Sequence, residues 1–424
     1  MNYTNHNFTY TKSFNKKILK PKNIDDLKEK LKKNHIIIGN LRSYGDTAVG
    51  KGNHISMLKF NKILKLNKKK KIIEVESGVI LSDFMKYCLQ QGLILTCMPG
   101  CKYVSIGGMI ANNISGKLSN KNKIKHFVYS LKIINKNGKI IECSKNKNKK
   151  LFNLTIGGKG RTGPIISTKL KLEALTSNKI YEKKIYFDSY LDFYNKLNKV
   201  KNFKYVVTWL DFTSIKFTGI VFFGKHMIGK NKKIQFKFND VKLNQIIVSI
   251  ISSFIKSKIF TKIFNFLFKY KCILINSNHV GLNDFFFPQN KIKNWNSFFK
   301  EEGFIQFQFY FNKKYMKNIV ENIKKELIKR NLFSNFTLLK LENFNKFSLS
   351  LDFPIKKNSE KINKFINDIV IKLDLDVELS KDISLSKLNK KTLINNPIFN
   401  EKNIKYFNKN YKSHIFKRLL NRFN

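Results

Sequence analysis

Gly39-Asn40-Leu41-Arg42-Ser43-Tyr44-Gly45-Asp46 follows directly on the apolar run His35-Ile36-Ile37-Ile38. A short apolar run ending in glycine reads as a buried strand feeding a turn. Two glycines and a serine within eight residues let backbone N–H groups converge, as an anion such as a pyrophosphate requires. The spacing is neither Gly-x-Gly-x-x-Gly nor Gly-x-x-x-x-Gly-Lys-Ser/Thr, which excludes the two familiar nucleotide fingerprints. Taken alone the loop is a phosphate cradle of another kind or simply a turn, and its neighbours decide between them.

Upstream, Ile24 to Lys33 has the pattern of a surface helix. Downstream, Ile72 to Glu76 alternates like a strand, Leu81 to Gln91 has helical periodicity, and Gly92 to Leu95 returns to strand character. A second glycine cluster, Pro99-Gly100 with Ile106-Gly107-Gly108, precedes paired strands at Leu131–Ile134 and Lys139–Glu142 around Asn137-Gly138. A third cluster is Gly157-Gly158-Lys159-Gly160-Arg161-Thr162-Gly163. From about Ser177 glycine thins and Phe- and Lys-rich segments take over. Asp374 to Leu379 reads as a strand, and Asn403 to Asn424 as a basic helix.

At 424 residues the chain suits two domains. Hydrophobic residues at 42%, with 39 Phe, supply enough apolar surface for folded cores despite a net charge of +54. That charge raises the question of nucleic acid, but only Arg42, Arg161, Arg330, Arg418 and Arg422 among the 82 basic residues are arginines. The lysines are spread along the whole chain without a basic stripe or reader motif, so no nucleic-acid partner is expected. The cysteines Cys88, Cys97, Cys101, Cys143 and Cys272 and the scattered histidines lack metal-ligand spacing, and no metal is expected. The first residues lack an apolar targeting stretch, and no apolar run reaches the about 18 residues of a spanning helix, so a cytoplasmic location is expected. Residues 244 to 270 alternate apolar residues with Lys256, Lys258, Lys262 and Lys269. They read either as a packed helix pair with solvated lysines or as an element lying on an acidic membrane surface. The run Lys68 to Lys71 reads as a solvated turn. Phe307, Phe309 and Phe311 alternate as sheet core, with Gln306 and Gln308 on the opposite face.

The three glycine segments, in this order, resemble the FAD-binding oxidoreductases of the vanillyl-alcohol oxidase and p-cresol methylhydroxylase type. Arg42 to Asp46 is similar to that family's pyrophosphate loop. Pro99-Gly100, Ser105-Ile106-Gly107-Gly108 and Asn112-Asn113-Ile114-Ser115-Gly116-Lys117 resemble its second FAD segment, and Gly157 to Gly163 the turn closing the same domain. Likeness is strongest to the decaprenylphosphoryl-β-D-ribose 2′-oxidase branch. It continues through Tyr205 to Asp211, Phe287-Pro288 with Trp295-Asn296, Gln306 to Phe309, Phe347 to Phe353, and Leu379-Ser380-Lys381-Asp382.

The resemblance implies an α+β fold, with an FAD-binding domain over 1–176, a mostly antiparallel substrate domain over 177–375, and a C-terminal segment, 376–424, returning to the first. It implies FAD held by the stretch Ile38 to Asp46, by Gly100, by Ser105 to Gly108, by Asn112, Ile114 and Ser115, and by Gly163 and Ile165. Lys381, Lys117 and Gln308 would be catalytic, and Trp209, Lys340 and Ser350 would contact substrate. The implied reaction is oxidation of a sugar hydroxyl on a polyprenyl-phosphate-linked pentose, the first half of a 2′-epimerisation for cell-envelope glycan synthesis. A separate NAD(P)H-dependent reductase would complete the epimerisation. A soluble alditol or aldonolactone oxidase is the rival enzyme, and a basic scaffold or nucleic-acid-binding protein the rival outside enzymology. Chemistry supports a lysine here, since oxidising a secondary alcohol requires a group to take the hydroxyl proton, and a buried lysine near other cations becomes neutral enough to do so.

The chain departs from the branch at Ser115, where His is usual, at Glu378, where an aromatic is common, and at Ser350, where some relatives carry Cys. Lysines also crowd the segment after Lys117. Covalent flavoproteins of this type use a His in the first loop; Asn40-Leu41 stands here, so FAD is expected to be non-covalent.

Overall fold

The computed structural model describes residues 5–175, 177–198, 203–229, 240–275, 278–343, 345–355, 358–381, 392 and 396–420. The strand β1 (His35–Ile38) pairs in parallel with β2 (Asn53–Ser56) and delivers the chain into the glycine loop. Ile36 and Ile38 are buried on this small sheet, as the apolar run demands.

Beside it lies a five-stranded antiparallel sheet of β3 (Ile63–Asn67), β4 (Ile72–Glu76), β5 (Val128–Ile134), β6 (Ile140–Ser144) and β7 (Ile165–Lys171), in the order β3-β4-β7-β5-β6. The β3–β4 turn contains Lys68–Lys71, with Lys71 at φ +52°. Gly138 at φ +75° closes the β5–β6 hairpin onto Asn135. The helix α1 (Ile24–Leu31) is capped by Asn23, whose side chain accepts from the Asp26 amide. The helices α2 (Leu81–Gln90), α3 (Ile106–Ala111) and α4 (Lys149–Thr155) follow. Phe84 of α2 and Met109 and Ile110 of α3 bury against Val75, Leu131 and Leu170 of the sheet.

Residues 179–377 form an eight-stranded antiparallel sheet, so the chain is α+β. Its strands are β8 (Lys179–Phe187), β9 (Tyr205–Leu210), β10 (Gly219–His226), β11 (His279–Gly281), β12 (Phe304–Asn312), β13 (Phe336–Asn343), β14 (Lys346–Pro354) and β15 (Asp376–Val377). They run in the order β11-β8-β10-β9-β13-β14-β12-β15. The helices α5 (Gln245–Ile255) and α6 (Lys258–Leu274) lie against one side, and α7 (Met316–Lys329) and α8 (Ser359–Lys372) against the other. Alternation along β12 sends Ile305, Phe307, Phe309 and Phe311 into the core under α7 and α8, and turns Gln306 and Gln308 the other way. Both faces of the strand are buried, so the polar face must be covered by something other than water.

Two C-terminal elements differ from the sequence reading. Asp374 sits at φ +45° and confines the expected strand to Asp376–Val377. The expected helix from Asn403 is a 3-10 turn, Glu401–Tyr406, followed by a short helix at His414–Leu420. Between them the backbone binds another part of the chain instead of itself. The His35 amide donates to the Asn410 carbonyl at 2.8 Å, the Lys412 amide to the His35 carbonyl at 2.9 Å, and the His414 amide to the Val49 carbonyl at 2.8 Å.

Phe309 is fully buried in the α7–α8 side of the sheet. Phe309→Ala is expected to cost about 3–5 kcal/mol of stability, read as a lower urea midpoint. Ile371→Ala, on the exposed face of α8, is expected to move the midpoint by less than about 0.5 kcal/mol equivalent.

Candidate active site

One elongated cavity runs from the β1 loop, past the start of α3 and the turn after α4, to the polar face of β12 and β13. The loop carries its own strain, because Leu41 occupies the left-handed region at φ +49°. The Asn40 side chain pins it by donating to the Tyr103 carbonyl at 2.7 Å. The Arg42 guanidinium lies 5.5 Å from the Phe8 ring and 5.6 Å from the Tyr103 ring, held between two aromatic faces at the cavity wall.

Gly39 and Ser105 meet where the loop touches α3. A Cβ on Gly39 would fall 2.1 Å from Ser105 Oγ, the atom that caps α3 by accepting from the Gly108 amide at 3.2 Å. Gly107 stands 2.7 Å, measured from the position of its absent Cβ, from the Ser77 side chain. These glycines allow three backbone segments to close around one space. Gly163, at φ +119°, opens the third segment.

Across the cavity lies the polar sheet face. Gln306 Nε2 donates to Asp352 Oδ1 at 2.6 Å. Gln308 Nε2 donates to Ser348 Oγ at 3.2 Å, and that hydroxyl donates to Glu342 Oε1 at 2.6 Å. Lys340 and Lys381 project into the same space, with Lys381 Nζ 5.4 Å from the Tyr44 ring of the loop. The strap carrying Lys381 is tied to both walls, since the Glu378 amide donates to the Gln308 carbonyl at 2.8 Å and the Gly45 amide to the Ser380 carbonyl at 3.3 Å.

Burial, reinforced by the neighbouring Lys340 charge, pulls Lys381 down to about 7. Burial also lowers Lys340, against the opposing pull of Glu342. Asp352 is pushed up to about 6 by burial, while the Gln306 hydrogen bond and Lys381 work the other way. Glu378 behaves oppositely. Burial would raise it, but the Lys123 and Lys159 charges and bonds from Ser380 and Tyr310 hold it down to about 2. The site therefore contains a lysine that is substantially neutral near pH 7 beside a fixed carboxylate.

Most expected site residues line this cavity: Ile38 to Tyr44 of the loop, Gly100, Ser105, Gly107, Gly108, Asn112, Ile114, Ser115, Gly163 and Ile165, with Gln308, Lys340 and Lys381 opposite. Six do not. Gly45 and Asp46 are buried behind the loop, where Ser413 Oγ donates to the Asp46 carbonyl at 3.2 Å. Ile106 points into the core of the first sheet. Ser350 is buried in β14 opposite Gln308 and Leu338, both of which reach the cavity. Lys117 is drawn away because the next residue, Leu118, bridges to Tyr205; its Nζ donates to the Phe285 carbonyl and lies 4.9 Å from the Phe285 ring. Trp209 lies opposite Leu338 on the cavity face, one strand further out, and Phe268 of α6 covers it at 5.0 Å between ring centroids. Asp382, at the end of the Leu379 segment, is outside the described residues.

The cavity also contains residues the sequence reading passed over. Tyr411, from the C-terminal segment, donates to the Lys159 carbonyl at 2.5 Å and crowds Gly160, whose Cβ would lie 3.0 Å from the Tyr411 hydroxyl. Lys159 and Gly160 belonged to a quoted glycine cluster, but Tyr411 had no local signal. Thr47 and Ser77 likewise line the wall without any motif to mark them.

Five lining residues have a buried polar atom with no partner among the described residues: Arg42 Nε, Thr47 Oγ1, Ser77 Oγ, Asn112 Oδ1 and Gln306 Oε1. Each would cost about 1–3 kcal/mol if left unsatisfied. Orphaned donors and acceptors along a glycine-walled cavity, with a guanidinium at one side, fit a long ligand with phosphate and many polar atoms. FAD, the ligand the sequence resemblance implies, has that chemistry.

Residues 16–144 match the family described as FAD binding domain, so that stretch is an FAD-binding domain and FAD is the cofactor it takes. Over 134 residues it is 31% identical to a D-lactate dehydrogenase of Anaerostipes hadrus, covering 30% of this chain and 28% of the relative. It is 32% identical over 134 residues to a decaprenylphosphoryl-beta-D-ribose oxidase of Mycolicibacterium smegmatis, 31% of this chain and 29% of the relative. Over 140 residues it is 31% identical to an L-gulonolactone oxidase of Bos taurus, 32% of this chain and 31% of the relative. The chain thus matches less than a third of the length of each of these relatives.

Gly39→Val should drive the loop and Ser105 apart. The expected result is purified protein with at least tenfold less bound flavin, measured as the ratio of absorbance at about 450 nm to that at 280 nm, with an unchanged far-ultraviolet circular dichroism spectrum.

Proposed function

We propose that this protein is an FAD-dependent oxidoreductase that oxidises a sugar hydroxyl to a ketone. The carrying observation is that Lys381, Lys340, Gln308 and Gln306 face the flavin loops across a single cavity, with Lys381 lowered to about 7. FAD held by the Ile38–Tyr44 loop and the Ser105–Gly108 turn would supply a hydride acceptor for the carbinol carbon. Neutral Lys381 Nζ takes the hydroxyl proton, so that the carbon–oxygen bond becomes a carbonyl. Gln308, bonded to Ser348 and its Glu342 partner, is fixed in orientation and offers its carbonyl oxygen to a sugar hydroxyl. Lys340, if charged, steadies negative charge growing on the substrate oxygen.

Three features support non-covalent FAD. No histidine lines the cavity among the described residues. The only lining thiol, among those residues, is Cys101, which burial pushes up and away from its thiolate. The first loop carries Asn40-Leu41 in place of a histidine. Acid precipitation is expected to release all the flavin into the supernatant.

The finer reading is a polyprenyl-phosphate-linked pentose as substrate, with the ketone passed to a separate NAD(P)H-dependent reductase for cell-envelope glycan synthesis. The partial likeness to a decaprenylphosphoryl-ribose oxidase supports it. So does the surface of α5 and α6, which exposes Ile246, Ile250, Phe254, Ile259, Ile263 and Leu267 next to lysines. Among the described residues no helix is long and apolar enough to cross a membrane. An exposed apolar face ringed by lysine suits the surface of an anionic bilayer. Sedimentation with anionic but not neutral vesicles, lost in Ile250→Asp/Ile263→Asp, is the expected result.

Polyprenyl-phosphoryl ribose added anaerobically should bleach the flavin band. Failure to bleach, with rapid bleaching by a free alditol or aldonolactone, assigns the protein to the soluble sugar-oxidase class instead. The bleaching rate should rise with pH through about 7, because Lys381 is protonated and unable to accept below that value and neutral above it. Lys381→Met is expected to slow bleaching by about 10²–10⁴-fold and to abolish this limb of the profile.

A further inference from the structure

A second cleft, of about 1080 Å³, adjoins the flavin cavity and shares Asn112, Lys159 and Glu378 with it. Around it stand Lys121, Lys123, Lys125, Lys145, Lys149 and Lys346. They come from three separate parts of the chain: the segment after α3, the β6–α4 connection with the first residue of α4, and the start of β14.

In a protein of charge +54 a group of lysines is unremarkable unless its local balance is unusual. Here the carboxylates of the cleft are already engaged. Glu378 is held by Tyr310 at 2.5 Å, Ser380 at 2.6 Å and Lys123 at 3.5 Å; Asp376 pairs with Lys346 at 3.3 Å; Glu342 accepts from Asn122 at 2.9 Å and Ser348 at 2.6 Å. Lys121, Lys125, Lys145 and Lys149, all exposed at the rim of the cleft, form no ion pair among the described residues. Repulsion among the cations of the cleft is felt within it. Lys125 is lowered by burial and by the Lys123 and Lys346 charges, and His126 by burial and by Lys125, Lys145 and Lys121. Concave walls of one sign concentrate the field and draw in a ligand of the other.

We propose that this cleft is the binding site for a phosphate-class anion. On the oxidoreductase reading given above, its place beside the flavin cavity fits a phosphate carried by the molecule being oxidised: the sugar enters past Asn112 and Glu378 while the phosphate rests among Lys125, Lys145 and Lys149. A free phosphate held in the same cleft shares this chemistry, and the two sources behave differently in solution.

The test is calorimetric titration of the purified holoprotein with inorganic pyrophosphate and, separately, D-ribose 5-phosphate, at ionic strength fixed with chloride. Saturable binding at one site per chain is expected. Lys125→Gln/Lys145→Gln/Lys149→Gln should weaken it at least tenfold. Lys68→Gln/Lys69→Gln/Lys70→Gln, which removes the same charge from the exposed β3–β4 turn, should change it less than twofold. Equal loss in both variants, or binding that never saturates, overturns the proposal. Tighter binding of ribose 5-phosphate than of pyrophosphate, with a shift of the flavin band, assigns the anion to the oxidised molecule; pyrophosphate binding at least as tightly without a band shift assigns the cleft to a free anion. Because the titration does not depend on colour, colourless protein showing selective binding would remove the flavin reading and leave the cleft, whereas yellow protein with no selective loss would do the reverse.

Discussion

Side chains of β12 and β14 alternate between an apolar face sealed by α7 and α8 and a polar face turned toward the glycine loops, and β13 adds Lys340 to that wall beside Phe336 and Leu338. Every property of the site depends on that alternation. Phe307 and Phe309 anchor the strand, and the same pleat that buries them presents Gln306 and Gln308 on the other side. A one-residue slip would exchange the faces, placing amides in an apolar core and phenyl rings against the cofactor loop. The large apolar burial under α7 and α8 therefore fixes register as well as stability.

The glycine segments meet that polar face largely with backbone. Gly39, Gly107 and Gly163 allow loop, helix start and turn to approach where any Cβ would collide. Arg42 Nε and side-chain oxygens of Thr47, Ser77 and Asn112 are left buried without a partner along that wall among the described residues. Neither wall is a site alone. The strap from Glu378 to Lys381 joins them, its Glu378 amide donating to the Gln308 carbonyl of the sheet and its Ser380 carbonyl accepting from the Gly45 amide of the loop, and so sets where the Lys381 amine stands.

Charge is distributed unevenly in this very basic chain. Most lysines are solvated, but Lys340, Lys381 and Lys159 are withdrawn from water near two or three carboxylates. Desolvation makes the protonated form costly, and mutual repulsion adds to it. A lysine-rich composition thereby yields a lysine lowered to about 7 inside the first cavity and a cationic rim around the adjoining cleft, with Glu378 held ionised at the boundary of the two.

The sequence by itself determined the loop after the first strand, the glycine companions and the alternation of Phe and Gln in β12, since each is written in local period or spacing; Lys381 was singled out only through the family resemblance, and the structure places it in the cavity. It did not determine that Lys117 turns to the Phe285 carbonyl, that Trp209 lies beneath Phe268, or that Tyr411 closes the wall beside Gly160. Nor did it show that residues 408–414 spend their backbone hydrogen bonds on β1 and Val49 and so cannot form the expected helix. Those outcomes depend on contacts between residues far apart in the chain, where competition for a hydrogen bond or a packing face is settled only once the sheets and helices have docked.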